Sequence, residues 1–458
     1  MNSFAFLFQL FIPSIVAASL LFFPGSLKAE KRMSLTLSES IERALASNDE
    51  IKMKGEDVHF AEGRLGEIKA LLYPTIQMTT LAIPIYKETG NALTSVEDKN
   101  EWGAWLKSST TIIQPLYGFR KEKYYKLAGE KGIEAEKEQR NMKSAEVVFD
   151  VKQYYYSAQA AYDAMKQLNE TEEKLQSVIK RVDALLKMES GEVRKQDAYK
   201  LKALHQELKQ KREFVIKATQ LATSAVAFKA GVSSDIEFDI KDKVLKQEDF
   251  VLKSLAFYQN LAMENRPEMK ALKAGITARH ALIDGERTNR LPLFFLGGLV
   301  DIADTPNNIR TRQGSPYAYD PFNGSNVGFG LGFRWNLDIW KVNAKIKSLK
   351  AEYYKLVFQK DFAEKGIPLE VKKAYLEYKE ALANIGHASE QLSHSKKWFL
   401  QSVVAWGFGV GDTREVLESV IFKGLSDKNY FEAMLGHNIA IGALSRTTGT
   451  ELLSSLKY

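Results

Sequence analysis

Hydrophobic and polar positions recur along this chain with two different periods. In the second half, Val371, Tyr378, Ile385, Leu392, Phe399 and Trp406 return every seven residues, with Tyr375, Leu382 and Val403 between them. Ser389 and Lys396 interrupt that second row. In the first half, Val148, Val151, Tyr155, Ala158, Tyr162 and Met165 alternate steps of three and four. Sustained heptads predict a left-handed coiled-coil seam. No proline falls between Gly118 and Glu189. A helix of that length, at a rise of 1.5 Å per residue, runs on the order of 100 Å. That is a rod or a tunnel wall and not the helix of an ordinary globular domain.

The other period is two. Over 326–339, Val327, Phe329, Leu331, Phe333, Trp335, Leu337 and Ile339 alternate with Gly328, Gly330, Gly332, Arg334, Asn336 and Asp338. One wholly apolar face opposite a small or polar one is the pattern of a membrane barrel strand. A soluble sandwich strand gives the same pattern, though seldom for so long. A partner strand is expected at about 291–303, through Phe294, Phe295 and Leu299. The first-half strands, about 74–86 and 104–116, are weaker: their alternation slips near Thr79 and Thr80, and Pro84 sits inside one. The intervening loops, roughly 87–103 and 304–324, are polar and rich in turn residues. Trp102, Trp105, Tyr317, Tyr319 and Phe322 lie near the strand ends, where they form either an interfacial girdle or a self-packed loop cluster.

The two halves echo one another. Leu37 pairs without a gap with Leu255, Ala44 with Ala262, Glu50 with Glu268, Lys52 with Lys270 and Pro74 with Pro292. Further on, Asp150, Val151 and Lys152 pair with Glu370, Val371 and Lys372, and Gly191 and Arg194 with Gly411 and Arg414. Such order predicts an internal two-fold repeat. The first unit covers 30–254: a helix, two strands, a long helix to 190, a tip turn at 189–194, a return helix and a linker at 232–254. The second covers 255–458, with its long helix to 408, a tip turn at 409–414 and a final helix. Two strands per half cannot close a barrel, and an open sheet edge cannot sit in lipid, so membranous strands require further chains.

Composition narrows the function classes. Of 458 residues 45% are hydrophobic and 26% charged, which suits a folded chain. The net charge of +7 is spread among interleaved acids and bases, with no dense basic block, so no nucleic-acid partner is indicated. There is no cysteine, which removes disulfides, thiolate metal sites and an acylated N-terminus. Residues 4–23 are nearly all apolar and Ala29 precedes the charged Glu30-Lys31-Arg32, so 1–29 reads as a secretory signal peptide, or failing that an uncleaved anchor. His59, His205, His280, His387, His394 and His437 are scattered, and His387 and His394 are seven apart, too far for a helical metal pair. No phosphate loop, nucleophile elbow or acid pair is present. The sequence therefore suggests no enzyme, no cofactor and no resident metal.

At this point the residues resemble a family, the TolC-like outer-membrane efflux proteins, over essentially the whole mature length. The resemblance rests on Leu37-Ser38-Glu39-Ser40-Ile41 with Ala44-Leu45 and Asn48, on Leu71-Leu72-Tyr73-Pro74, on Gln114-Pro115-Leu116-Tyr117-Gly118, on the Gly191 and Gly411 turns and on the repeat. It implies a mixed α and β membrane protein: a long antiparallel coiled-coil tunnel in the periplasm, and four strands per chain in a twelve-stranded barrel made by a homotrimer in outer-membrane lipid. It implies a passive exit duct of a tripartite efflux or type I secretion system, coupled through a periplasmic adaptor (membrane fusion) protein to an inner-membrane pump. The tip turns, with Gly191, Arg194, Gly409, Gly411 and Arg414, would then meet the adaptor. Asp412, Glu415 and Glu418 would narrow the pore, since Glu415-Val416-Leu417-Glu418 stands where the family often has Asp-Val-Leu-Asp. Arg194 and Arg414 would tie neighbouring hairpins to those acids. The other reading of Glu415 and Glu418 is an ordinary solvated helix face. The rival for the whole chain is a soluble periplasmic coiled-coil scaffold with a small β cap; an exported enzyme has no site to support it.

Overall fold

The computed structural model describes residues 32–90, 94–188, 193–312, 317 and 320–453; the expected signal peptide and Gly191 lie outside them. The chain opens with strand β1 (Arg32–Leu35) and helices α1 (Leu37–Ser47) and α2 (Asp49–Ala70). Strands β2 (Thr75–Gly90) and β3 (Ser95–Tyr117) follow, then α3 (Lys121–Lys187), α4 (Lys195–Lys229) and a short β4 (Glu237–Ile240). The order then returns: α5 (Leu255–Asn265), α6 (Pro267–Arg287), β5 (Leu293–Asp304), β6 (Gly324–Arg334), α7 (Ile339–Gly407) and α8 (Thr413–Thr448). The capping chemistry returns too. The Thr36 hydroxyl accepts from Glu39 N at the start of α1, and the Ser254 hydroxyl accepts from Phe257 N at the start of α5.

Helices α3 and α7 contain 67 and 69 residues, so each is about 100 Å long. In α7 the heptad row Val371, Tyr378, Ile385, Leu392, Phe399 and Trp406 is buried throughout. The companion row differs from the expected one. Ala374, Ala388, Ser395 and Ser402 are buried, whereas Leu382 is exposed. Small side chains fill those positions, and at one of them the Ser402 and Ser419 hydroxyls of α7 and α8 come within 2.7 Å; size is a feature that hydropathy does not report.

Strands β2, β3, β5 and β6 form one antiparallel sheet in the order β2-β3-β5-β6, leaving β2 and β6 as open edges. Its rungs separate two faces. Thr79, Ser109, Asp301 and Asn326 share one rung; Met78, Thr110, Val300 and Val327 share the next, on the other face. On β6 the apolar face is almost bare: Val327 is 77%, Phe329 90%, Leu331 81% and Phe333 64% exposed. The opposite face of β6 carries Gly328, Gly330 and Gly332.

The strand bounds correct the sequence reading at several ends. β6 stops at Arg334, opposite Leu293, because β5 has no earlier residue to pair with it. Trp335 therefore lies outside the strand, its indole N–H donating to Arg290 O at 3.0 Å. Strands β2 and β3 run well into the expected loop at 87–103, where polar side chains pair across the ladder, as Lys87 does with Glu101 at 2.6 Å. The slip at Thr79 and Thr80 is no bulge: the β2 register is unbroken from Thr75 to Tyr86. What changes there is the face that carries the apolar residues, with Leu81, Ile83 and Trp105 on the otherwise polar side. Pro84 is tolerated because β2 is an edge.

The expected linker at 232–254 holds an unexpected strand, since β4 pairs in parallel with β1. Beyond it, side chains of the helices satisfy the irregular backbone. Gln159 Nε2 donates to Asp242 O at 2.8 Å, Leu245 N to Asp163 Oδ2 at 2.8 Å, and Asn438 Nδ2 to Lys246 O at 2.7 Å. The chain thus forms a belt around the middle of the long helices without leaving these buried groups unpaired.

Candidate functional site

The end of the helices farthest from the sheet is formed by two hairpins, α3 with α4 and α7 with α8. One apolar core joins them: Leu175, Val178 and Val182 of α3, Ala198 and Leu201 of α4, Trp406 of α7 and Val416 of α8. The α7–α8 turn is closed by glycine. Gly409 has φ 77°, the left-handed region that an L side chain enters at a cost. Gly409 N donates to Trp406 O and Val410 N to Ala405 O, both at 3.1 Å, the paired bonds of a Schellman C-cap. Gly411 is required for a different reason: a Cβ there would lie 2.6 Å from Trp406 N. Asp412 then caps α8, accepting from Arg414 N at 3.1 Å.

The ion pairs at this tip are local. Arg414 Nε reaches Glu418 Oε1 at 2.8 Å, one turn along the same helix, and Arg194 Nε reaches Asp197 Oδ2 at 3.2 Å. Among the described residues, neither arginine crosses to the other hairpin. The cross-tie is made by Arg181, which the sequence reading missed. Its Nη2 donates to Gly407 O at 2.7 Å, and its guanidinium stands 5.0 Å from the Trp406 ring centroid. Trp406 in turn donates its indole N–H to Thr413 Oγ1 at 3.0 Å. Arg181 binds a backbone carbonyl at a helix C-terminus, so no partner residue type in the sequence marked it.

Asp412, Glu415 and Glu418 are all exposed and three residues apart, along one side of the start of α8. Deeper in the hairpin, Lys423 and Asp427 form a buried pair at 2.5 Å, each side chain 7% exposed. The sequence signal for that pair was present, since both fall in the buried row that continues from Val416 and Val420. Exposed apolar side chains crown the tip: Met188, Phe408 and Val410.

Among the described residues no helix is long and apolar enough to cross a membrane, and no cluster of metal-ligating side chains occurs. No family model and no curated protein sequence matches the chain. Solved structures do. The outer-membrane channel OprN aligns at TM-score 0.73 with 14% identity, over 90% of this chain and 89% of that one. The CmeC outer-membrane channel of Campylobacter jejuni aligns at 0.72 with 15% identity, over 98% and 95%. The open state of the MtrE outer-membrane channel of Neisseria gonorrhoeae aligns at 0.72 with 14% identity, over 98% and 99%. The chain has the fold of these outer-membrane channels over nine-tenths or more of its length.

Proposed function

We propose that this chain is one subunit of an outer-membrane exit duct, a passive conduit that ends an efflux or type I secretion pathway. One observation carries the reading: a sheet with a bare apolar face and two open edges stands on helices about 100 Å long. A sheet with open edges is untenable in lipid, and closure with further copies removes the edges. Three copies would supply twelve strands, turning the apolar face to lipid and the rung of Thr79, Ser109, Asp301 and Asn326 to the lumen. The helices would then extend into the periplasm and form the tunnel. An inner-membrane pump and a periplasmic adaptor would complete the system, the adaptor meeting the Phe408 to Arg414 turn and its counterpart at Gly191 and Arg194.

In such an assembly, Asp412, Glu415 and Glu418 would recur around the axis. A carboxylate ring attracts cations and repels anions in a narrow pore. The test is electrical. The purified chain in a planar bilayer is expected to give cation-preferring channels, and the Glu415→Lys/Glu418→Lys variant to lose or invert that preference. A wild-type protein that remains in the soluble periplasmic fraction and gives no channel steps would establish the scaffold reading instead. Unchanged selectivity in the variant would remove the gate and leave the duct.

A further inference from the structure

Where the strands give way to the helices, the bare apolar face of the sheet ends in aromatic side chains. Phe294 shares a rung with Tyr117 and Phe333, on the face that also presents Leu296 and Leu331. Phe119, just past β3, continues this strip. Its ring centroid lies 4.9 Å from that of Tyr117 and 6.4 Å from that of Phe294, and Phe294 lies 6.2 Å from Phe333. Beside the strip, between the start of α3 and the end of α6, is an open cavity of about 410 Å³. Tyr117, Phe119, Arg120, Tyr124, Arg287 and Leu291 line it. Asp284 lines it as well, but that carboxylate is already shared by Arg287 at 2.8 Å and His280 at 3.3 Å. Arg120 is exposed, and no ion pair engages it among the described residues. Further bases surround the cavity level. Over 120–126, Arg120, Lys121, Lys123 and Lys126 face the single acid Glu122, and over 339–350 the start of α7 carries Lys341, Lys345, Lys347 and Lys350, all exposed, with no acid.

We propose that this cavity holds the headgroup phosphate of an anionic phospholipid, drawn from the membrane leaflet on the helix side. The inference rests on the duct reading, which turns the apolar face of the sheet to lipid. On that reading the strip of Phe119, Tyr117, Phe294 and Phe333 stands at the border between acyl chains and water, the level that aromatic rings favour. The cavity opens at the same level, below lipid and above the tunnel. Its chemistry fits a phosphate. The planar guanidinium of Arg120 matches phosphate oxygens two at a time, and the lysines of α3 and α7 add attraction for an anionic surface. The same groups select against a zwitterionic lipid. An ammonium headgroup would need a carboxylate, and Asp284 is committed to Arg287 and His280. Glu286 likewise accepts from the Tyr125 hydroxyl at 3.1 Å. The cavity also lies away from the ring junctions, because β3 and β5 are the two inner strands of the sheet. A lipid could therefore reach it in the closed assembly and fix the height at which the barrel sits.

The experiment uses the full chain in detergent, mixed with phosphatidylglycerol or phosphatidylethanolamine, with bound lipid counted by native mass spectrometry. Wild type is expected to hold phosphatidylglycerol about ten-fold more tightly than phosphatidylethanolamine, and Arg120→Gln/Arg287→Gln to lose about ten-fold in that affinity. Lys209→Gln/Lys211→Gln removes the same charge from exposed positions of α4 and is expected to bind like wild type. Equal binding of the two lipids by wild type would overturn the proposal without any variant having to fold, and so would equal losses in the two double variants. Inorganic phosphate at the lipid's concentration is expected to displace little; full displacement by it would show a free-phosphate site and overturn the lipid assignment. The same wild-type preparation is tested in planar bilayers. Channels together with equal lipid binding would remove the headgroup site and leave the duct. No channels in either lipid would remove the duct reading and this inference with it.

Discussion

Single residues in the belt decide how this molecule responds to acid. His437 is 1% exposed, packed 5.2 Å from the Tyr378 ring, with Nδ1 at 3.2 Å from Asn438 Oδ1. Asn438 Oδ1 is an acceptor that also takes Glu248 N, so the neutral ring donates from Nδ1. Burial holds the His437 pKa below its ordinary 6.5, against the raising influence of Asn438 and of the nearby Glu248. The sign follows. Above pH 6.5 the ring is neutral in both folded and unfolded chains, and nothing is lost. Below that value the unfolded chain takes up a proton that the folded chain resists, so stability falls as pH falls. The loss reaches at most about 1.4 kcal/mol per pH unit, the slope for one uncompensated proton. Thermal unfolding from about pH 7.5 to about pH 5.5 should show His437→Gln losing less Tm than wild type. Equal losses in the two proteins would place the acid sensitivity elsewhere.

At the level of elements, the long helices were legible because their apolar row is large and strictly periodic. Val371, Tyr378 and Phe399 announce themselves, and the β6 alternation of Val327, Phe329, Leu331 and Phe333 does the same for the sheet. The parts that escaped reading share a physical cause: their stabilising partner is backbone or a small side chain. Ala388, Ser395 and Ser402 carry the close helix contact without hydropathy. The belt strand β4 has only four residues and depends on β1, some 200 residues away in sequence. The Gly409 turn and the Asp412 cap could be read locally, but the Arg181 tie could not, because a carbonyl has no residue identity. That tie adds a directed hydrogen bond to the apolar core that joins the α7–α8 hairpin to α3. Removing its charged hydrogen bond and its contact with the Trp406 ring in Arg181→Ala should destabilise the tip by about 1 to 2 kcal/mol. Hydrogen exchange or limited proteolysis at the α7–α8 turn should report faster opening there, with the sheet unaffected. A uniform loss across the chain would show instead that the tip is one folding unit with the rest.

At the level of the whole molecule, the open sheet edges and the bare helix faces are parts of one surface. β2 and β6 lie at opposite edges, so in the proposed duct β6 of one copy would join β2 of the next, a head-to-tail contact that gives a ring where its rotation closes. The helix that leads into β2 is α2, and the helix that leaves β6 is α7. In the proposed duct, their exposed faces would then meet across the same junction. α2 presents Met53 and Phe60; α7 presents Tyr354, Phe358 and Phe362. Those α7 aromatics border an open groove of about 950 Å³ between α3, α6 and α7, with Met142, Leu272 and Gly275 on its walls. Such a large exposed apolar strip on a single chain is the mark of an interface. Phe358→Glu/Phe362→Glu places two charges there without touching the buried heptad row at Ile367 and Val371. The expected result is loss of the oligomer in native electrophoresis and in light scattering, with the helical circular dichroism of the subunit retained. Channel activity should disappear together with the oligomer, because a sheet that cannot close its edges cannot remain in lipid. An intact oligomer bearing both glutamates would mean that α2 and α7 are not the junction, and the ring would have to close through the strands alone.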